Sequence, residues 1–247
     1  MKKNIYFASD FHLGSPDHAA SREREDRILR WLSSITSDCS ELFLMGDIFD
    51  FWFEYRTVVP KGFVRLLGKL GAMTDAGIKV YFFKGNHDMW VDTYFTQELG
   101  IEIVSDELVI ERDGKRFFLH HGDGLGPGDT KYKVLRKIFR NPLCQWLFAL
   151  VPPRIGLGIA NWWSGSSKSA RPDEEVFHGA DHEWLVIYAK ELLLKAHYDY
   201  FVFGHRHLPL DIRLSDKSQY VNLGEWMNYN SYAVFDGQEL RLKYFEK

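Results

Sequence analysis

Cysteine is almost missing from the chain: Cys39 and Cys144 are the only two among 247 residues. Two thiols cannot build a disulfide framework and do not form a thiolate metal pair, so both read as small buried hydrophobes. A long apolar run is missing too. The oiliest stretch, NPLCQWLFALVPPRIGLGIANWW at 141–163, is interrupted by Pro152-Pro153-Arg154. A membrane-crossing helix needs roughly 20 consecutive apolar residues, and tandem proline followed by a charge at mid-span excludes one here. The amino-terminal MKKNIYFASD passes straight into a strand pattern without the apolar region and cleavage site of a signal peptide, so a cytoplasmic location is expected. Surplus positive charge is lacking as well. A net charge of -3 argues against nucleic acid as a partner, because neutralising phosphates needs an excess of Lys and Arg.

What is present is a 45% apolar fraction, enough for a substantial core, and residues 1–247 are read as a single domain. The charge is distributed unevenly. Between Lys131 and Arg171 there are eight basic residues and no acidic one, which leaves 23 basic against 34 acidic residues elsewhere. A cationic, tryptophan-bearing segment thus interrupts an anionic body. Such a segment suits an anionic, partly apolar ligand or an anionic membrane surface, against the plainer reading of a solvated helical hairpin.

Short apolar or aromatic runs at Asn4–Ser9, Glu41–Met45, Lys79–Phe83, Arg116–His120 and Tyr200–Phe203 predict strands buried on both faces. Gln219–Leu223, Ser231–Phe235 and Glu239–Phe245 predict a closing antiparallel meander with Asp236-Gly237 at its hairpin. Helical patterns fall at about 20–36, 61–76, 92–99, 130–150 and 181–196. Strands alternating with helices, followed by strands alone, predict a layered α/β sandwich.

The five buried strands all run into polar turns: Ser9-Asp10-Phe11-His12, Gly46-Asp47-Ile48-Phe49-Asp50, Gly85-Asn86-His87-Asp88, His120-His121-Gly122-Asp123 and Gly204-His205-Arg206-His207. One such turn is ordinary. Five that deliver Asp, Asn and His at strand ends, where open α/β sheets build sites, point to metal chemistry. Asp10 and His12, two residues apart on an extended strand end, can chelate one ion, and His205 and His207 have the same spacing. Asp47 is a natural bridging carboxylate and Asn86 a neutral oxygen donor. His120 and His121 face opposite ways, and the residues alone leave either as the donor. Two cations about 3.5–4 Å apart activate a water and stabilise in-line displacement at phosphorus. His18, His178, His182 and His197 fit no motif and read as surface or packing residues, while Arg206 is expected to pair with a nearby carboxylate.

In order, D-x-H, G-D-x-x-D, G-N-H-D, H-G-D and G-H-x-H resemble the signature of the calcineurin-like metallophosphoesterases, and the match covers most of the chain. The resemblance implies a four-layered αββα sandwich. It implies one divalent cation on Asp10, His12, Asp47 and His207 and a second on Asp47, Asn86, His121 and His205, since the ligand histidine stands directly before Gly-Asp. It also gives His87 the role of general acid or donor to the phosphoryl oxygens, with Asp50 or Asp88 orienting it.

The segment 124–182, entered from one metal motif and left before another, is read as a helical cap over the site. That cap, with Gly46–Trp52, Leu223-Gly224-Glu225-Trp226, Asn141-Pro142, Gln145–Phe148 and Ser167-Lys168, is similar to the UDP-2,3-diacylglucosamine pyrophosphohydrolases of lipid A biosynthesis. The likeness implies attack at the α-phosphorus, release of UMP and 2,3-diacylglucosamine 1-phosphate, and Mn2+ as the usual metal. It implies substrate contacts at Asn86, His87, Asp129, Ser167, Lys168, Arg171 and His205, with acyl chains held by the cap. A lipid-linked nucleotide and a basic face imply peripheral association with the cytoplasmic face of the inner membrane. His87 and Asp50 are the generic superfamily residues where that branch commonly has Arg and Glu. A phosphodiesterase or nucleotidase acting on a soluble ester is therefore the competing expectation. A non-catalytic scaffold would have lost ligands, and all seven are present.

Overall fold

The part of a strand sandwiched between two apolar layers must be apolar at every position, and the buried stretches IYFA of Ile5–Ala8, VYFF of Val80–Phe83 and YFVF of Tyr200–Phe203 meet that condition. The computed structural model describes residues 3–126, 130–156, 158 and 176–246. Its strands are β1 (Asn4–Ala8), β2 (Cys39–Leu44), β3 (Lys79–Phe83), β4 (Glu102–Val104), β5 (Leu108–Arg112), β6 (Lys115–His120), β7 (Tyr200–Phe203), β8 (Pro209–Ser215), β9 (Ser218–Leu223), β10 (Ser231–Phe235) and β11 (Leu240–Tyr244). They form a six-stranded sheet, β11-β10-β1-β2-β3-β4, and a five-stranded sheet, β5-β6-β7-β9-β8. In the first, β1 to β4 run parallel with an antiparallel β10–β11 edge. In the second, β6, β7 and β9 are parallel and flanked by antiparallel β5 and β8.

Side chains alternate between the two faces of each strand. Ile5, Phe7, Phe43, Tyr81 and Phe83 meet Phe117, Leu119, Tyr200, Val202 and Val221 between the sheets. Phe43 stacks on Phe7 and Tyr81 at centroid separations of 5.1 and 4.4 Å. Tyr6, Ala8, Leu42, Leu44, Val80 and Phe82 face the other way, against helices α1 (His18–Ile35), α2 (Val64–Asp75) and α3 (Tyr94–Leu99). Phe118, Phe201, Phe203 and Tyr220 pack outward on the helix Trp184–Leu193. Helices, sheet, sheet and helix make the expected four-layered sandwich.

Helix α1 starts where the Asp17 carboxylate accepts the Ala20 N–H, and Ile28, Trp31, Leu32 and Ile35 recur on its buried face. The single helix expected over 130–150 is two, α4 (Thr130–Phe139) and α5 (Pro142–Ala149). Pro142 has no N–H with which to continue α4 and forces Asn141 into an extended conformation. From there the Asn141 side chain caps α5 through the Leu143 N–H. The helix Trp184–Leu193 is α6 in chain order.

The closing meander is also corrected. β9 belongs to the second sheet, beside β7 and β8, whereas β10 and β11 form a hairpin on β1. Between them the chain crosses from one sheet to the other at a turn held by Glu225, whose carboxylate accepts the N–H groups of Asn228 and Tyr229 at 2.9 and 3.2 Å. The strands β4, β5 and β8, for which no run was evident, are all outer or half-exposed strands.

Candidate metal centre

The carboxyl ends of β1, β2 and β3 in one sheet and of β6 and β7 in the other open onto one place. Main-chain bonds tie them together: Asp10 N–H to Gly46 O, His12 N–H to Asp47 O, and Gly204 N–H to His121 O. Asp10, His12, Asp47, His205 and His207 adopt positive φ values of 55, 44, 53, 68 and 55°. Left-handed backbone is unfavourable for a residue with a Cβ, and several such residues together mark a site where the surrounding structure imposes the conformation. The glycines beside them allow close approach. A Cβ on Gly204 would sit 2.6 Å from both Asp10 Oδ2 and Ser9 Oγ.

Three groups of donors converge: Asp10, His12 and His207; His12, Asp47 and His87; Asp47, His121 and His205, the donor atoms of each lying within 4.8 Å of one another. His12 Nε2 is 3.0 Å from His207 Nε2, 3.8 Å from Asp10 Oδ1 and 3.9 Å from Asp47 Oδ2. His121 Nε2 lies 3.3 Å from Asp47 Oδ2 and 3.2 Å from Asn86 Oδ1. All seven residues named as candidate ligands thus meet. His120 does not join them: its Nδ1 accepts the Gly122 N–H at 2.8 Å, and burial pushes its pKa down to about 4.

The neighbours fix tautomers and backbone. His121 Nδ1 donates to Met45 O at 2.8 Å, which turns Nε2 toward Asp47. Asp88, fully buried, accepts N–H bonds from Gly85, Asp47, Ile48 and Phe49, tying the β2 and β3 loops together. Burial, reinforced by the Asp47 charge, pushes Asp88 up to about 7. His87 Nδ1 donates to Asp50 O at 3.0 Å, and the Asp50 carboxylate lies 3.4 Å from His12 Nδ1.

Burial opposes charge on His121, but Asp47 and Asp10 outweigh it and push the imidazole up to about 10; Asp47 is held well below the usual carboxylate range. His205 is lowered to about 4 by burial and by the neighbouring His121. Asp10 Oδ1 is buried without a hydrogen bond. A buried carboxylate oxygen 3.3 Å from His207 Nε2, two imidazole nitrogens in contact and a carboxylate-rich surround form a nitrogen-and-oxygen donor set that suits divalent cations.

Asp129, Ser167, Lys168 and Arg171 lie outside the described residues. Two supporting pairs join a motif residue to one outside the motifs. Arg136 of α4 meets buried Asp123 at 3.0 Å, and Glu183 accepts from Arg206 Nε at 2.9 and 3.0 Å. The second confirms a carboxylate partner for Arg206, whose guanidinium also lies 4.4 Å over the Trp184 ring. His18, His178, His182 and His197 are exposed. Among the described residues, no helix is long and apolar enough to cross a membrane.

Helix α5 has no buried residue. It touches the body through Phe148, which packs on Phe51, Phe53 and Trp90 with centroids 6.3, 4.9 and 5.0 Å away. Its Leu143, Trp146, Leu147 and Leu150 are exposed, as are Val134 and Ile138 of α4.

Comparison with known proteins matches the same region. The protein named UDP-2,3-diacylglucosamine hydrolase in Porphyromonas gingivalis is 41% identical, over 100% of this chain and 99% of its own length. Proteins of the same name from Photorhabdus laumondii and Escherichia coli are 29% and 26% identical, covering 91% and 97% of the chain and 92% and 98% of their own lengths. A family profile described as calcineurin-like phosphoesterase spans residues 3–209, from β1 through the last of the five loop ends. With that span, this sandwich and these donors, the chain belongs to the calcineurin-like phosphoesterases, a family of metal-dependent hydrolases.

Proposed function

We propose that the chain hydrolyses the pyrophosphate bond of UDP-2,3-diacylglucosamine, releasing UMP and 2,3-diacylglucosamine 1-phosphate. The full-length likeness to the P. gingivalis protein carries this reading. In it, Asp10, His12, Asp47 and His207 hold one divalent cation and Asp47, Asn86, His121 and His205 the other, with Mn2+ as the physiological metal. Such a pair, when bound, lowers the pKa of a water and neutralises charge growing at phosphorus.

His87 supplies the proton chemistry. Because a main-chain carbonyl can only accept, the 3.0 Å contact with Asp50 O supports a hydrogen on Nδ1, and in this reading Nε2 faces the substrate. The protonated ring then donates to a phosphoryl or leaving oxygen. Asn86 and His205 contact the phosphate alongside it, and Asp129, Ser167, Lys168 and Arg171 contact the phosphate or glucosamine.

Residues 124–182 act as the cap. The outward stripe of Leu143, Trp146, Leu147 and Leu150 covers the acyl chains and rests against the cytoplasmic face of the inner membrane, where the basic residues of the segment meet anionic lipid. One observation favours a second reading: His87 and Asp50 are residues common to phosphodiesterases of the wider family. Incubation with Mn2+ and UDP-2,3-diacylglucosamine, followed by chromatographic assay of UMP, separates the two. Release of UMP supports the first; hydrolysis of a soluble diester with no UMP from the lipid refutes it.

A further inference from the structure

Helix α1 carries an arginine on the face it packs against the sheet. Arg24 is only 5% exposed and shares that face with Ser21, Ile28 and Trp31. A guanidinium in such a place needs several acceptors, and main-chain carbonyls provide them. Nη1 donates to Phe11 O at 2.9 Å and to His12 O at 2.7 Å; Nη2 donates to Ser15 O at 3.0 Å. One turn earlier, Ser21 Oγ accepts the Gly14 N–H at 2.8 Å. Burial pulls the basicity of Arg24 down, and the carboxylates of Glu225 and Asp50 oppose that.

The segment gripped in this way is the one that presents Asp10 and His12. Both residues have left-handed backbone, so the peptide groups around them are turned away from ordinary strand pairing. The opposite side of the loop is held by Trp226 N–H on Asp10 O and by His12 N–H on Asp47 O. Arg24 closes the remaining side with a planar fork that reaches three carbonyls at once, which a lysine ammonium cannot reproduce with the same geometry.

We infer that Arg24 is a positioning residue for the cation held by Asp10 and His12, acting through the carbonyls of residues 11, 12 and 15. The inference rests on the ligand assignment proposed above. Neighbours that orient metal ligands typically set affinity by about 10–100-fold. Arg24→Met should therefore weaken one of two Mn2+ binding steps by about tenfold or more while the other moves less than about threefold. Arg24→Lys should fall between.

Calorimetric titration of the metal-free full chain with Mn2+ reads the two steps, and near-UV circular dichroism checks the fold. Activity on a small chromogenic phosphodiester against Mn2+ concentration gives a second readout. A positioning defect raises the half-activating concentration and is recovered at saturating Mn2+; a general packing defect is not. If Arg24→Met does not fold, Arg24→Lys carries the test alone. Two Mn2+ in the wild type with both steps unchanged in the folded variants overturns the inference and leaves the ligand assignment standing. A wild type that binds no cation overturns both.

Discussion

Replacing Glu183 with glutamine tests how the second histidine loop is held. Glu183 and Arg206 have side chains only 3% and 4% exposed, and the carboxylate accepts Arg206 Nε through both oxygens. Removing one partner of a buried ion pair typically costs about 3–5 kcal/mol. Glutamine retains one acceptor oxygen and the indole of Trp184 still lies against the guanidinium, so the lower end, about 3 kcal/mol, applies. At about 2–4 °C per kcal/mol for a chain of this size, Tm should fall by roughly 6–12 °C in differential scanning calorimetry. Arg206 stands between His205 and His207, so the same change should raise the Mn2+ concentration needed for half-maximal activity. The double variant Glu183→Gln/Arg206→Met buries no charge and should recover most of the lost Tm, because a neutral replacement of a buried pair is often tolerated. A single variant within about 1 °C of wild type, or a double variant no better than the single, would refute the reasoning.

Four further outcomes are expected. Asp47→Ala should abolish both Mn2+ binding and turnover, as measured by metal analysis and UMP release; two retained ions at full rate would contradict the shared-carboxylate assignment. His87→Ala should lower kcat about 10²–10⁴-fold with the metal content unchanged, the range for loss of a general acid. Trp146→Ser/Leu150→Ser should raise KM for the diacylated substrate and leave a small chromogenic diester unaffected, and equal losses on both would remove the acyl slot. In the metal-free chain His121 holds its proton up to about pH 10, above its ordinary 6.5. A ligand must be neutral to bind, so Mn2+ affinity should rise with pH below 10 and binding should release protons, measurable by titration in buffers of different ionisation enthalpy. An affinity flat from pH 6.5 to 9 would contradict the pairing of His121 with Asp47.

The strands that carry the donors were legible because burial on both faces leaves an unbroken apolar run, as in Tyr200–Phe203. Edge strands lack that signature: β5 alternates half-buried and exposed residues, and β4 is three residues long. The expected meander divides between two sheets because apolar periodicity records that a strand is covered, not which sheet covers it. Two adjacent runs, β9 and β10, therefore looked like neighbours when Glu225 turns the chain between sheets. Residue type and spacing point to the donors, with the choice of His121 over His120 resting on the family resemblance. Their supports could not be read this way: Arg24 acts on main-chain carbonyls, which have no sequence identity, and Arg136 and Glu183 are ordinary charged residues until folding brings them to Asp123 and Arg206.

The left-handed conformations of Asp10, His12, Asp47, His205 and His207 have a further consequence. Each disfavours the ordered geometry by about 1–2 kcal/mol for a residue with a Cβ, so five amount to roughly 5–10 kcal/mol that relaxes whenever the chain unfolds. The donor geometry is thus a property of the whole sandwich and is not carried by the motifs. An excised peptide such as Ser-Asp-Phe-His-Leu would hold the same side chains in the wrong directions. Grafting these motifs onto another scaffold would likewise fail unless that scaffold enforced the same five torsions, and ligand geometry should disappear together with the sheet-to-sheet core on denaturation.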